Sequence, residues 1–139
     1  VCIVDAANER IVDGKLTQAD LEQMRHVRSN FGESIHTHVD DMFTSAGIVP
    51  RVAISVQGFL PVPFVVSHTK FVAYVPERLA LAYQENLGLA IVETPLSPPT
   101  LVEAAHWHPS KTNDPAIKWL VSLLRRAAEL VEFANDELE

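Results

Sequence analysis

Cysteine is all but missing from this chain. Cys2 stands alone, so no internal disulfide can staple the fold, and a reducing cytoplasm is the simplest setting for it. Basic residues are also short: 11 Lys and Arg face 18 Asp and Glu, a formal net charge of −7. Phosphate backbones are held by concentrated Lys and Arg, so this piece is not expected to hold DNA by itself. No apolar run approaches the ~20 residues that a membrane-spanning helix needs, and no membrane partner is expected. Gly-x-Ser-x-Gly, a phosphate-binding loop and His-Glu-x-x-His are all missing, which leaves catalysis little to stand on. An initiating Met is missing too. The chain begins on the strand-like Val1-Cys2-Ile3-Val4 and reads as a fragment, so the lack of a leader peptide decides nothing.

What is present is enough for one core. At 139 residues and 47% hydrophobic, the chain is ordinarily one domain. Val1–Val4 reads as a strand. Thr17 with Asp20 marks a helix start, His26–Arg28 a short strand, and Ser29–Glu33 a loop feeding a helix from about Ser34 to Ala46, stopped by Gly47. Arg51–Val56 is apolar enough to predict a strand buried on both faces. Gln57–Leu60 turns into a short helix near 61–67, where Pro61 and Pro63 are expected at the first and third helical positions. Phe71–Val75 is a buried strand, Pro76-Glu77 opens a helix stopped by Gly88, and Leu89–Val92 is a third buried strand. After the proline-rich 95–99 stretch, Leu101–Trp107 reads as a strand. Asp114 and Pro115 open a last helix to about Phe133, with Trp119, Leu120, Leu123, Leu124, Ala127 and Leu130 on one stripe. Alternating strands and helices predict an α/β sandwich with a mostly parallel sheet.

In such sheets ligands sit beyond the carboxyl ends of strands. Two turns fit. In the first, Ser29 and Asn30 offer hydrogen bonds and Phe31 a ring to stack on, or the turn is an ordinary capped loop. In the second, Gln57 offers donor and acceptor, Gly58 permits close backbone approach, and Phe59 lines a cleft or simply packs. Six histidines raise metal binding. His36 and His38, two apart on a helix, point to different sides, whereas His106 and His108, two apart on a strand, share a face. Two histidines without a nearby Cys or acidic pair are a weak metal signal, and no metal is expected. Asp40-Asp41 reads as a solvated or interface charge pair.

Several segments together resemble a known family. Trp107-His108, a polar linker, then Asp114-Pro115-Ala116-Ile117-Lys118-Trp119-Leu120 looks like the end of the effector-binding domain of LysR-type transcriptional regulators. The branch it most resembles includes the nodulation and naphthalene/salicylate-type aromatic-sensing activators. His68-Thr69-Lys70-Phe71-Val72-Ala73-Tyr74-Val75-Pro76-Glu77-Arg78-Leu79-Ala80 resembles that branch's strand and Val-Pro-x-Arg-Leu element. Gly14-Lys15-Leu16-Thr17 with Asp20-Leu21 is similar to its short helix after the first crossover between lobes, and Ser29–Gly47 to its pocket loop and following helix. One departure stands out: many relatives carry Gly-x-Gly where this chain has His68-Thr69-Lys70.

The resemblance implies a fold like a type 2 periplasmic binding protein, two α/β lobes around a ligand cleft. Residues 1–4 would be the first crossover strand and residues 5–105 lobe II. Residues 106–139 would be the second crossover and the C-terminal helix that returns to lobe I. The winged helix-turn-helix and most of lobe I are absent. It implies a cytoplasmic sensor rather than an enzyme, with no cofactor and a small-molecule inducer, aromatic or acidic. DNA contact would come only through the absent N-terminal domain. It further implies a ligand set of Ser29, Asn30, Phe31, Gln57, Gly58, Phe59 and, by position, His68. Trp107 and His108 would form a hinge. A homo-oligomer, dimer or tetramer, would be built on the helix stripe Ile35, Val39, Met42 and Phe43, a stripe that by its spacing serves either such an interface or the chain's own core. The competing readings are a lobe of an extracytoplasmic solute-binding protein that feeds a transporter and an enzyme lobe on the same architecture.

Overall fold

The computed structural model describes residues 1–32 and 37–136, and side chains as far as residue 130. They form two compact units, Val1–Leu101 and residues 102–136. In the first, strands β1 (Cys2–Asp5), β2 (Arg25–Asn30), β3 (Arg51–Gln57), β4 (Phe71–Tyr74) and β5 (Leu89–Val92) form one sheet in the order β3-β2-β4-β1-β5. Helices α1 (Gln18–Gln23), α2 (His38–Ser45), α3 (Val62–Val66) and α4 (Glu77–Leu87) join them.

Local chemistry sets most of these boundaries. Thr17 and Asp20 close a capping box at the start of α1, and Thr37 and Asp40 repeat it at α2, each side chain satisfying the other's backbone N–H. Gly88 ends α4 at φ 61°, a left-handed conformation that costs a residue with a Cβ. The helix expected from Ser34 starts instead at His38. Ile35 and His36 lie outside the described residues. Pro61 stands at the N-cap of α3 and Pro63 at its second position, one place earlier than the sequence predicts.

The sheet is mixed rather than simply parallel. β2 pairs parallel with β3 and β4, while β1 lies antiparallel between β4 and β5. Four strands therefore point one way, as expected, but half of the pairings are antiparallel. Apolar side chains fill both faces. Cys2, Val4, Val72, Tyr74 and Val92 meet Leu21, Met24, Phe43 and Ile48 on one. Ile3, Val27, Ala73, Val75 and Leu89 meet Val62, Val66 and Ala80 on the other.

Two expectations fail here, and one open choice is decided. β3 is an edge strand, with Val52 45% exposed and only Ile54 and Val56 turned partly into the core. Its unbroken apolar run reads as central, but position in the sheet, not composition, decides burial. Phe43, expected on a subunit interface or in the core, is 4% exposed and meets His26 and Tyr74 edge-on at 5.3 and 5.6 Å. Val39 and Met42 also pack partly onto that core. Leu101–Trp107, expected as a strand, is irregular. An extended segment becomes a strand only when a neighbour completes its backbone hydrogen bonds, and no described strand pairs with it.

In the second unit, a 3-10 turn (Pro109–Lys111) leads to α5 (Pro115–Asp136). Asp114 caps α5 by accepting the Ala116 N–H at 3.0 Å, as the sequence predicts. The apolar stripe of α5 is exposed: Trp119 64%, Leu120 44%, Leu123 43%, Leu124 45% and Leu130 71%.

Candidate functional site

The sensing residues expected from sequence gather where β2 and β3 end. Ser29 and Asn30 are the last residues of β2 rather than loop residues, and Gln57, paired with Asn30, is the last of β3. Because the two strands are parallel, both turns leave from the same end of the sheet. The Gly58 N–H donates to the Asn30 carbonyl at 2.9 Å, and Gly58 takes φ 73°, so the crossing uses glycine's conformational freedom. The Asn30 carboxamide oxygen accepts the Gly32 N–H at 2.9 Å, which shapes the turn after β2. Phe31 and Phe59 then meet edge-on, centroids 4.9 Å apart, with Phe31 42% exposed. Six of the seven expected ligand residues are thus brought together.

Ser29 adds an unusual feature. It is buried, and its hydroxyl has no hydrogen-bond partner among the described residues. Burying a hydroxyl unpaired is costly, and such groups mark places where a water or ligand completes the bonding.

His68 is not part of this corner. β4 begins beside the start of β2, with Arg25 opposite Phe71, so the turn before β4 lies at the other end of the sheet. There His68 takes φ 57°, and its N–H donates to the buried Asp5 carboxylate at 2.6 Å. The left-handed backbone that glycine would supply is kept by a histidine whose amide is gripped by an acid. Its imidazole stays largely in solvent.

Beside the corner is a cavity of about 40 Å³, lined by β2, by Thr37 and the α2 residues Val39, Asp40 and Phe43, and by Pro50, Val52, Phe59 and Tyr74. Arg28 and Asp40 both line it and are ion-paired at 2.8 Å. Of the pair Asp40-Asp41, expected to be solvated or at an interface, only Asp41 fits a solvated position. The Asp40 carboxylate accepts the Thr37 N–H and hydroxyl, each at 2.9 Å, together with Arg28 Nη2. Burial works to raise its pKa, yet the hydrogen bonds from Thr37 and the charge of Arg28 outweigh it and hold the carboxyl below the usual range. The spacing Thr37-x-x-Asp40, which repeats Thr17-x-x-Asp20, was the signal that could have found it. Arg28 had no such signal. On the same wall, burial lowers the pKa of His26, whose Nε2 bonds the Leu21 carbonyl at 2.7 Å and whose ring packs on Phe43.

Among the described residues, no three His, Cys, Asp or Glu are placed to hold a metal ion, and no helix is long and apolar enough to cross a membrane. His106 and His108 do not share a strand face, because no strand forms there. His108 instead caps the 3-10 turn, its Nδ1 accepting the Ser110 N–H at 3.2 Å, and the Trp107 indole donates to Thr112 Oγ1 at 3.3 Å. Both contacts are local to their own turn.

Comparisons with known proteins agree with this architecture. The chain is 33% identical over 137 residues to nodulation protein D 1 of Mesorhizobium japonicum, covering 98% of this chain and 43% of that protein. It is 30% identical to nodulation protein D 1 of a Bradyrhizobium species, again over 98% of this chain and 43% of the relative. It thus spans less than half the length of these relatives. Among solved structures, it superposes on the regulatory domain of MexT, a transcriptional activator in Pseudomonas aeruginosa. The TM-score is 0.57 at 25% identity, over 87% of this chain and 59% of that one. The model of the LysR substrate binding domain matches residues 1–129. With that match over nearly its whole length, the chain belongs to the LysR substrate binding domain family, the effector-binding domain of LysR-type regulators.

Proposed function

We propose that this chain is the inducer-sensing part of a cytoplasmic transcriptional regulator. Its first hundred or so residues form one lobe, and a small aromatic or acidic metabolite is held between that lobe and a second one. The observation that carries this is the corner itself. Ser29, Asn30, Gln57 and Gly58 are laced together at one end of the sheet, the exposed ring of Phe31 and the half-buried ring of Phe59 lie beside them, and a buried hydroxyl there has no partner among the described residues. Polar groups converging beside aromatic surface at the carboxyl ends of strands are what a ligand cleft requires.

Within this reading, residues 1–4 and 106–108 are the two crossovers and α5 belongs to the other lobe. The exposed stripe of α5 supports that assignment, since an amphipathic helix needs a surface to cover it. Trp107 and His108 serve as hinge. DNA is reached through a separate N-terminal domain, and the working unit is a homodimer or tetramer. In any subunit contact made by α2, Val39 and Met42 offer only their exposed sides, because Phe43 is spent on the core.

The experiment is a thermal-shift screen of the two-lobed protein that contains this chain with a panel of aromatic acids and neutral aromatics, repeated with Asn30→Ala and Gln57→Ala. Each truncation should cost roughly 0.5–3 kcal/mol of ligand affinity if it removes a bond to a polar or charged ligand group. Variants that keep the full response to every active compound would refute the corner as the sensing site.

A further inference from the structure

We infer that Arg28 reads the negative charge of the ligand at this corner, with Asp40 as the positioning residue that holds it; this rests on the sensing reading above. The cavity beside the corner is lined by Ser29 and Phe59 of the corner itself, and by Arg28, Thr37 and Asp40. Arg28 is the only Lys or Arg among the described lining residues, and it sits on β2 two positions before Asn30. At about 40 Å³ the cavity admits about two or three waters or a carboxylate group, but not an aromatic ring. The rings that could face a ligand's aromatic part, Phe31 and Phe59, meet at the corner. Size and chemistry together sort the ligand into two parts: a carboxylate that enters and a ring that stays at the corner.

The ion pair is what makes Arg28 fit for this. Asp40 engages Nη2 through Oδ2, and that carboxylate is itself fixed by two bonds from Thr37 in the first turn of α2. A guanidinium is a planar fork with five N–H donors, so it can hold a second carboxylate while it keeps the first. An arginine otherwise loses side-chain freedom when it binds, and Asp40 has already removed part of that freedom. The ligand class is therefore a small carboxylate carrying an aromatic group.

The test is an NMR titration of the two-lobed protein that contains this chain with two matched probes, benzoate and its neutral amide benzamide, each followed at the backbone amides of residues 28–31, 37–40 and 57–59. Benzoate should bind about tenfold more tightly than benzamide, the scale of one charge-assisted hydrogen bond. Arg28→Met should bring the two probes to near parity, and Arg28→Lys should restore part of the preference. Asp40→Asn should weaken benzoate more than benzamide while Arg28 remains. An equal response to both probes in the unaltered chain would overturn the charge reading and leave the corner standing as a site. A tenfold preference that survives Arg28→Met in a folded variant would overturn Arg28 as its source. No response of the corner amides to either probe would overturn this inference and the sensing site together.

Discussion

Helices α2 and α5 obey the same local rules and end in opposite situations. Each is opened by a side-chain cap, Thr37 for α2 and Asp114 for α5, and each carries apolar residues at helical spacing. Phe43 of α2 is 4% exposed, whereas the five large apolar residues of the α5 stripe are 43–71% exposed. The difference lies outside the helices. α2 closes over His26 and Tyr74 of a paired sheet, while α5 has its stripe uncovered. Amphipathic periodicity specifies a helix and a face. It does not specify what the face meets.

The largest expected effect tests that contrast directly. Leu21→Ala, at a fully buried position, should destabilise the first unit by about 2–5 kcal/mol, the lost transfer energy plus a cavity. Leu123→Ala in α5 should cost less than about 0.5 kcal/mol. Urea unfolding followed by circular dichroism reads both, and equal losses would break the comparison. Both tryptophans, Trp107 and Trp119, lie in residues 102–136, so tryptophan emission reports that unit alone. It should be unmoved by Leu21→Ala in the folded chain.

Smaller effects sharpen the role of the caps. Thr37→Ala should cost about 1 kcal/mol, since it removes both bonds that the Thr37 hydroxyl makes in the capping box. Gly88→Ala should cost about as much, about 1 kcal/mol, through φ 61° alone, because an added Cβ there meets nothing within 4 Å. A loss well beyond that at Gly88 would point to a steric clash instead of backbone strain.

His26 predicts a pH dependence. Burial lowers its pKa below the ordinary 6.5, so the unfolded chain takes up a proton on this ring at a higher pH than the folded one does. The stabilisation is fully present above pH 6.5 and is lost as the pH falls from there through the folded value. Asp20 and Asp40 have lowered pKa values too, and their contributions fade only below their ordinary 3.8. Urea midpoints measured across the weakly acidic range should therefore fall with pH, and His26→Asn should flatten that slope. The smallest effect is expected at Ser29. In the free chain Ser29→Ala removes a buried hydroxyl that is unpaired among the described residues and should leave stability unchanged or slightly raised. A clear loss of stability would mean that the hydroxyl is already bonded, to a water for example.

Much of this was readable in advance, for local reasons. Thr17 and Asp20, Gly88 and Asp114 announce helix ends because capping is settled within four residues. The corner was readable because turns that follow parallel strands are forced to one end of a sheet, and Asn30 and Gly58, at and just past the strand ends, are residue types such a turn needs. His68 misled because its resemblance-based position carries no information about which end of the sheet it occupies. Arg28 escapes because its partner lies twelve residues on, in a helix whose start the sequence predicts four residues too early.

By itself, then, the sequence determined the order of elements, their caps and the α/β class, since propensity, periodicity and turn chemistry act over a few neighbouring residues. Only the tertiary structure decided which strand stood at the edge, that β1 ran against its neighbours, that Phe43 faced inward and that Arg28 met Asp40. Those facts depend on pairings between residues far apart in the chain. Leu101–Trp107 marks the limit between the two: its composition is that of a strand, and it stays irregular because a β-ladder needs a second strand.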